Sequence, residues 1–150
     1  DKSKMVNFSV SDEAILAEFS EIIIPTTSAC PGAKAAGLGS FIPMMIQDCY
    51  PSNLQTVFAT GLKAMDDKCF AKFGKNFTTA SNQEKTVIVT ELRDEAIANK
   101  RTPSFFIIAR DLTILGYYSS DFRKEYSTLV AQVRHDELDK FFDKWNVPKI

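Results

Sequence analysis

Apolar residues in this chain recur every three or four places, segment after segment, and a cap or a breaker bounds each segment. A strand would need strict alternation instead, so this period commits the chain to helices. Ser9 or Ser11 can cap a first helix that opens on Asp12 and Glu13, carboxylates suited to the positive end of a helix dipole. Ile15, Leu16, Phe19, Ile22 and Ile23 follow at helical spacing, and Pro25 stops the run. Residues 26–32 form a turn-rich loop. A second helix carries Leu38, Phe41, Ile42, Met45, Ile46 and Cys49 on one stripe. Pro43 fits there if Ser40 is the cap and the proline lies in the first turn.

Ser52 can cap a third helix, with Leu54, Val57, Phe58, Gly61, Leu62, Met65 and Cys69 inward and Gly74 as its end. Gly61 on that inner face costs about 1 kcal/mol relative to Ala, which another helix in close approach would explain. Ser81-Asn82-Gln83-Glu84 is a capping box that opens a fourth helix through Ile88, Leu92 and Ala96. Val87-Ile88-Val89 is strand-like, but the cap before it favours helix. Thr102-Pro103 reads as cap and first position of a fifth helix carrying Phe105, Ile108, Ala109, Leu112 and Leu115, with Gly116 as its stop. A sixth carries Leu138, Phe141, Phe142 and Trp145 and ends near Pro148. The expected fold is all-α: a compact bundle of five to six helices with short loops, one domain over residues 1–150.

Composition narrows the function. Net charge is −1 and 45% of residues are hydrophobic. There is no basic surface for duplex nucleic acid and no apolar run long enough to span a membrane. Three cysteines without a CxxC, and His135 as the single histidine, give no zinc, dithiol or haem-attachment signature. The chain opens Asp1-Lys2-Ser3-Lys4 without a signal peptide or initiator Met, so a trimmed start is expected.

Gly32-Ala33-Lys34-Ala35-Ala36-Gly37-Leu38 has the glycine spacing of a phosphate-binding loop, but Leu38 stands where the lysine should be. The simpler expectation is a tight loop that lets two helices pack. No GxSxG elbow or nucleophile–base set exists. His135 lies in the charged run Arg134-His135-Asp136-Glu137 and is expected on a solvated helix face. Asp66-Asp67 and Asp94-Glu95 point about 100° apart on a helix and form no shared acid–base site. No catalytic residue and no metal ligand is expected. The pairs Phe105-Phe106, Tyr117-Tyr118 and Phe141-Phe142 each point two ways, so one member of each must meet another element or a partner.

Several blocks taken together resemble the gluconate 2-dehydrogenase subunit 3 family, the small or gamma subunit of membrane-associated flavin dehydrogenases. They are Ile22-Ile23-Ile24-Pro25-Thr26 with Pro31-Gly32-Ala33; Ala36-Gly37-Leu38 with Phe41-Ile42; Asp48-Cys49-Tyr50-Pro51; Phe58 with Gly61-Leu62; and Phe105-Phe106, Leu112-Thr113 and Gly116-Tyr117-Tyr118-Ser119-Ser120. The similarity covers about residues 12–120. The resemblance implies a non-catalytic accessory subunit without a cofactor. Its partner would be a flavoprotein catalytic subunit that holds FAD, with a cytochrome c subunit beside it. The small subunit would assist maturation, export or assembly of the flavoprotein, often through its own twin-arginine signal, in the periplasm. Family chains end in a short Gly- and Pro-rich tail, whereas residues 121–145 here are charged, helical and free of Gly. The alternative is a free-standing α-helical module that binds a small apolar ligand or another protein.

The partner surface is expected on two loops that carry family blocks: Pro25, Thr26, Thr27, Pro31, Gly32 and Ala33 on one, and Gly116, Tyr117, Tyr118, Ser119 and Ser120 on the other. Thr26, Thr27, Tyr117 and Tyr118 have no evident local duty in the sequence. If the second and third helices form an antiparallel hairpin turning near Pro51, Cys69 comes level with Cys30, so Cys30–Cys69 is the one disulfide within reach. Cys49 would then be a buried thiol. Three independent thiols is the alternative that the odd count favours.

Overall fold

The computed structural model describes residues 6–100, 103–120 and 128–148. Among them the chain forms six helices and no strand: α1 Val10–Ile23, α2 Leu38–Cys49, α3 Ser52–Phe73, α4 Asn82–Ala98, α5 Phe105–Ser119 and α6 Thr128–Lys144. The all-α bundle read from the periodicity is the observed fold. Ser9 and Ser81 cap α1 and α4 in full capping boxes, closed by Asp12 and Glu84. Gly74 ends α3 with φ 68°, a left-handed conformation that Gly adopts without strain.

Four terminus readings are corrected. Ser40 is not the cap of α2. The helix starts earlier from Gly37, whose φ of 82° sets the entry, so Pro43 lies inside the helix rather than in its first turn. Ser52 is the first residue of α3 and Pro51 its cap, because the Pro51 carbonyl takes the Leu54 and Gln55 N–H groups. Ser104 caps α5 through its hydroxyl, which accepts the Ile107 N–H; Thr102 lies outside the described residues. Gly116 does not stop α5, which runs on to Ser119.

What Gly116 does is admit α2. A Cβ there would lie 2.4 Å from Leu38 and 2.6 Å from Phe41. Gly61 does the same for α3 against α5, where a Cβ would lie 2.2 Å from the Phe105 Cβ. The close approach expected at Gly61 is therefore present. Helix α5 is the central element, packed against α1, α2, α3 and α4. Its two phenylalanines are both buried, and both reach Phe19, with Phe106 at 6.3 Å. The Phe105 ring centroid lies 5.0 Å from that of Phe58 and 5.5 Å from that of Phe19, and Phe106 meets Trp145 at 6.4 Å.

Helix α2 packs chiefly on α1 and α5, and α3 on α4 and α5, so the α2–α3 hairpin register assumed for the cysteines does not hold. All three cysteines are free thiols. Cys30 and Cys69 are buried without a bond between them, and Cys49 is exposed rather than buried. Each buried thiol has its own surroundings: Cys30 sits against Tyr117. Burial pushes the Cys69 thiol up, and Asp66 and Glu84 add to the shift.

Helix α6 is held at its C-terminal end by side chains of the bundle. Arg93 of α4 donates to the Lys144 carbonyl at 2.7 Å. Arg110 of α5 donates to the carbonyls of Trp145 and Asn146. Two guanidinium groups thus satisfy the carbonyl end of a helix, where its dipole favours positive charge. Leu138 and Trp145 are buried beneath it.

The glycine contacts make a stability prediction. Gly61→Ala gains about 1 kcal/mol of helix propensity but drives a methyl into Phe105. The expected net effect is a loss of about 1–3 kcal/mol, roughly 3–10 °C in Tm. Thermal unfolding followed by circular dichroism checks it, and a stabilised variant would mean that α3 and α5 stand further apart.

Candidate functional site

The two segments expected to be separate partner loops meet each other. Residues 25–33 fold into a closed loop organised by Glu21 from the last turns of α1. The Glu21 carboxylate accepts the Thr26 N–H at 3.0 Å and the Lys34 N–H at 3.1 Å, which pins both ends of the loop. The Thr26 hydroxyl accepts the Gly32 N–H, the Thr27 N–H reaches the Cys30 carbonyl, and the Ala33 N–H reaches the Ile24 carbonyl. Gly32 is required by space: a Cβ would sit 2.5 Å from each of Glu21 Oε1, the Ile24 carbonyl and the Thr26 nitrogen. Pro25, Thr27 and Pro31 are half-buried, Gly32 and Ala33 are buried, and of the six named positions only Thr26 is exposed.

The second segment is no loop but the last turn of α5. Tyr117 is fully buried, and its hydroxyl donates to the Pro31 carbonyl at 2.8 Å. Its oxygen lies 3.7 Å from Cys30 Sγ and accepts from Arg134 Nε at 3.0 Å. Burial pushes the Tyr117 phenol up to about 12, with the Cys30 contact acting the same way and Arg134 opposing both. Tyr118 points outward with 42% of its surface exposed and its ring 6.3 Å from Phe142. Ser119 is exposed, and its hydroxyl donates to the Leu115 carbonyl; Ser120 is half-buried and donates to the Tyr117 carbonyl. Gly116 is buried against α2.

So the reading that Thr26, Thr27 and Tyr117 have no local duty is corrected. Thr26 closes the loop, Thr27 donates to Glu137, and Tyr117 joins the loop to α5. Tyr118, Ser119 and Thr26 are what remain on the surface.

Sequence reasoning missed Arg134. It stands in a charged run, yet only 2% of its surface is exposed. Its Nη2 donates to the carbonyls of Pro25 (3.1 Å) and Pro31 (2.9 Å), and its Nη1 to Glu137 at 3.2 Å. The guanidinium carbon lies 5.3 Å from the Tyr117 ring and 5.7 Å from the Phe141 ring. The missed signal is positional: Arg134 shares the apolar stripe of Leu138, Phe141 and Trp145 at helical spacing. Its neighbour His135 is exposed, as expected, 3.8 Å from Asp139.

A cleft of about 810 Å³ lies between α5 and α6, walled by Ile114, Tyr118 and Phe142 and rimmed by His135 and Asp139. No group of three or more His, Cys, Asp or Glu side chains among the described residues could hold a metal ion. No described helix is long and apolar enough to cross a membrane.

Tyr117→Phe removes a buried donor and leaves Pro31 and Arg134 each one bond short. The expected cost is about 1–3 kcal/mol by urea unfolding. The raised phenol also fixes a pH dependence. Below about pH 10, the usual tyrosine value, both states keep the proton and stability is unaffected. Above it the unfolded chain ionises first, so this stability drains away up to about pH 12. The variant should lose that part of the alkaline slope, together with the last-titrating component of the tyrosine absorbance.

No curated protein and no solved structure matches the chain. Residues 11–130 do match the family described as gluconate 2-dehydrogenase subunit 3. That stretch contains the Glu21-pinned loop, the α3–α5 contact at Gly61 and the end of α5 at Tyr117, and it stops before Arg134. On that match, covering most of its length, the chain belongs to the gluconate 2-dehydrogenase subunit 3 family.

Proposed function

We propose that this chain is a non-catalytic small subunit of a flavin-dependent gluconate or sugar dehydrogenase complex, assisting maturation, export or assembly of the flavoprotein. The observation that carries the reading is the family match over residues 11–130. On this reading the chain holds no cofactor itself, and FAD belongs to the catalytic subunit. A cytochrome c subunit completes the complex, and the complex works in the periplasm.

The docking surface is narrower than two loops. Most of residues 25–33 and 116–117 are consumed by internal bonds, so contact falls to the outer side of α5. There Leu115 (48% exposed) and Tyr118 (42%) lie one turn apart beside Ser119. Exposed apolar side chains next to small polar ones suit a protein contact better than a catalytic pocket.

The test is co-expression with a flavoprotein dehydrogenase encoded beside this chain. A tag on the small subunit should retain the flavoprotein, seen by its bound-flavin absorbance. Leu115→Ser with Tyr118→Ser should lower retention at least about tenfold, a loss on the scale of one interface hot spot, while leaving the circular dichroism unchanged. A flavoprotein that matures and purifies without the small subunit would overturn the assignment.

The cleft between α5 and α6 favours the second reading, a free-standing module for a small apolar ligand, because its walls are Ile114, Tyr118 and Phe142. Recovery of the chain alone, with an apolar molecule in that cleft, would support it instead.

A further inference from the structure

The acceptors that surround Arg134 belong to a loop with its own internal bonds. Five of these lie within residues 21–34: Glu21 to the Thr26 and Lys34 N–H groups, Thr26 to Gly32, Thr27 to Cys30, Ala33 to Ile24. The remaining wall, Tyr117, is positioned by α5 and tied to Pro31 by its own hydroxyl. Two carbonyl oxygens six residues apart, Pro25 and Pro31, thereby converge on one nitrogen, while the phenol oxygen faces a second. The arrangement matches a planar guanidinium with donors on two edges. It does not match an ammonium, which has three donors at one point. The occupant comes from a different element, α6. All the acceptors of the loop and α5 lie inside the family-matched stretch, and Arg134 lies beyond it.

We infer that the loop 25–33 and Tyr117 form a guanidinium-binding site with its own affinity for the group, and that α6 fills this site in cis with Arg134. Arginine is the natural occupant because its guanidinium is weakly hydrated and is buried more cheaply than an ammonium. Glu137, 3.2 Å from Arg134 and hydrogen-bonded by Thr27, supplies the counter-charge from the α6 side. Helix α6 is then a latch whose arginine is a ligand, beside the core contact made by its Leu138. This inference stands apart from the dehydrogenase reading, since its test needs no partner.

The test is chemical rescue in the full chain. Arg134→Ala deletes the occupant and leaves Glu137 and every acceptor in place. Methylguanidinium should bind the vacated site with a dissociation constant on the order of 10 mM, typical of a fragment this small. At roughly five times that concentration the Tm of the variant should rise by about 3 °C, while the wild type stays unmoved. Methylammonium at equal ionic strength should give no rise. Adding Tyr117→Phe to the variant should abolish the response. If Arg134→Ala proves unfolded in buffer, the same ligand should restore its helical circular dichroism. Absence of rescue in whichever form the variant takes, or equal rescue by methylammonium, would overturn the proposal.

Discussion

The hydrogen bond from the Tyr117 hydroxyl to the Pro31 carbonyl, 2.8 Å across 86 positions of sequence, ties the loop after α1 to the end of α5. Without it the loop after α1 and the end of α5 would be neighbours only. With it the phenol oxygen is fixed, and a fixed oxygen can receive Arg134. A buried guanidinium is costly unless its donors are met. Here Nε, Nη1 and Nη2 all have acceptors, and no buried side-chain nitrogen or oxygen among the described residues lacks a partner. The order of dependence runs from Glu21 to the loop, from the loop to Tyr117, and from both to α6.

The same logic explains why family blocks that look like surface motifs are largely structural. Pro31-Gly32-Ala33 turns the chain where no Cβ fits, and Gly116-Tyr117 brings α5 against α2 and then against the loop. What these contacts turn outward on α5 is Leu115, Tyr118 and Ser119, the side chains on which the proposed docking rests.

Much of the architecture was legible because helical stripes and capping boxes are local. Ile15, Leu16 and Phe19 declare one face of α1, and Ser81 with Glu84 fixes the start of α4, within a few residues each. Gly61 announced a close neighbour by being costly where it stands. The errors fell where two physical roles share one residue type. Gly116 has the look of a helix stop, and only the position of Phe41 reveals it as a contact. Tyr117 and Tyr118 are identical in sequence terms, and which one is buried depends on a carbonyl 86 positions away. Arg134 sits in a charged run and on an apolar stripe at once, and the stripe decided.

The central claim is that the loop 25–33 is a folded, clamped element rather than a mobile recognition loop, and native-state amide hydrogen exchange tests it most directly. The amides of Thr26, Gly32 and Ala33, bonded to Glu21, Thr26 and Ile24, should exchange as slowly as those in the middle of α5. Exchange of these three at the rate of an open loop, with α5 still protected, would contradict the account.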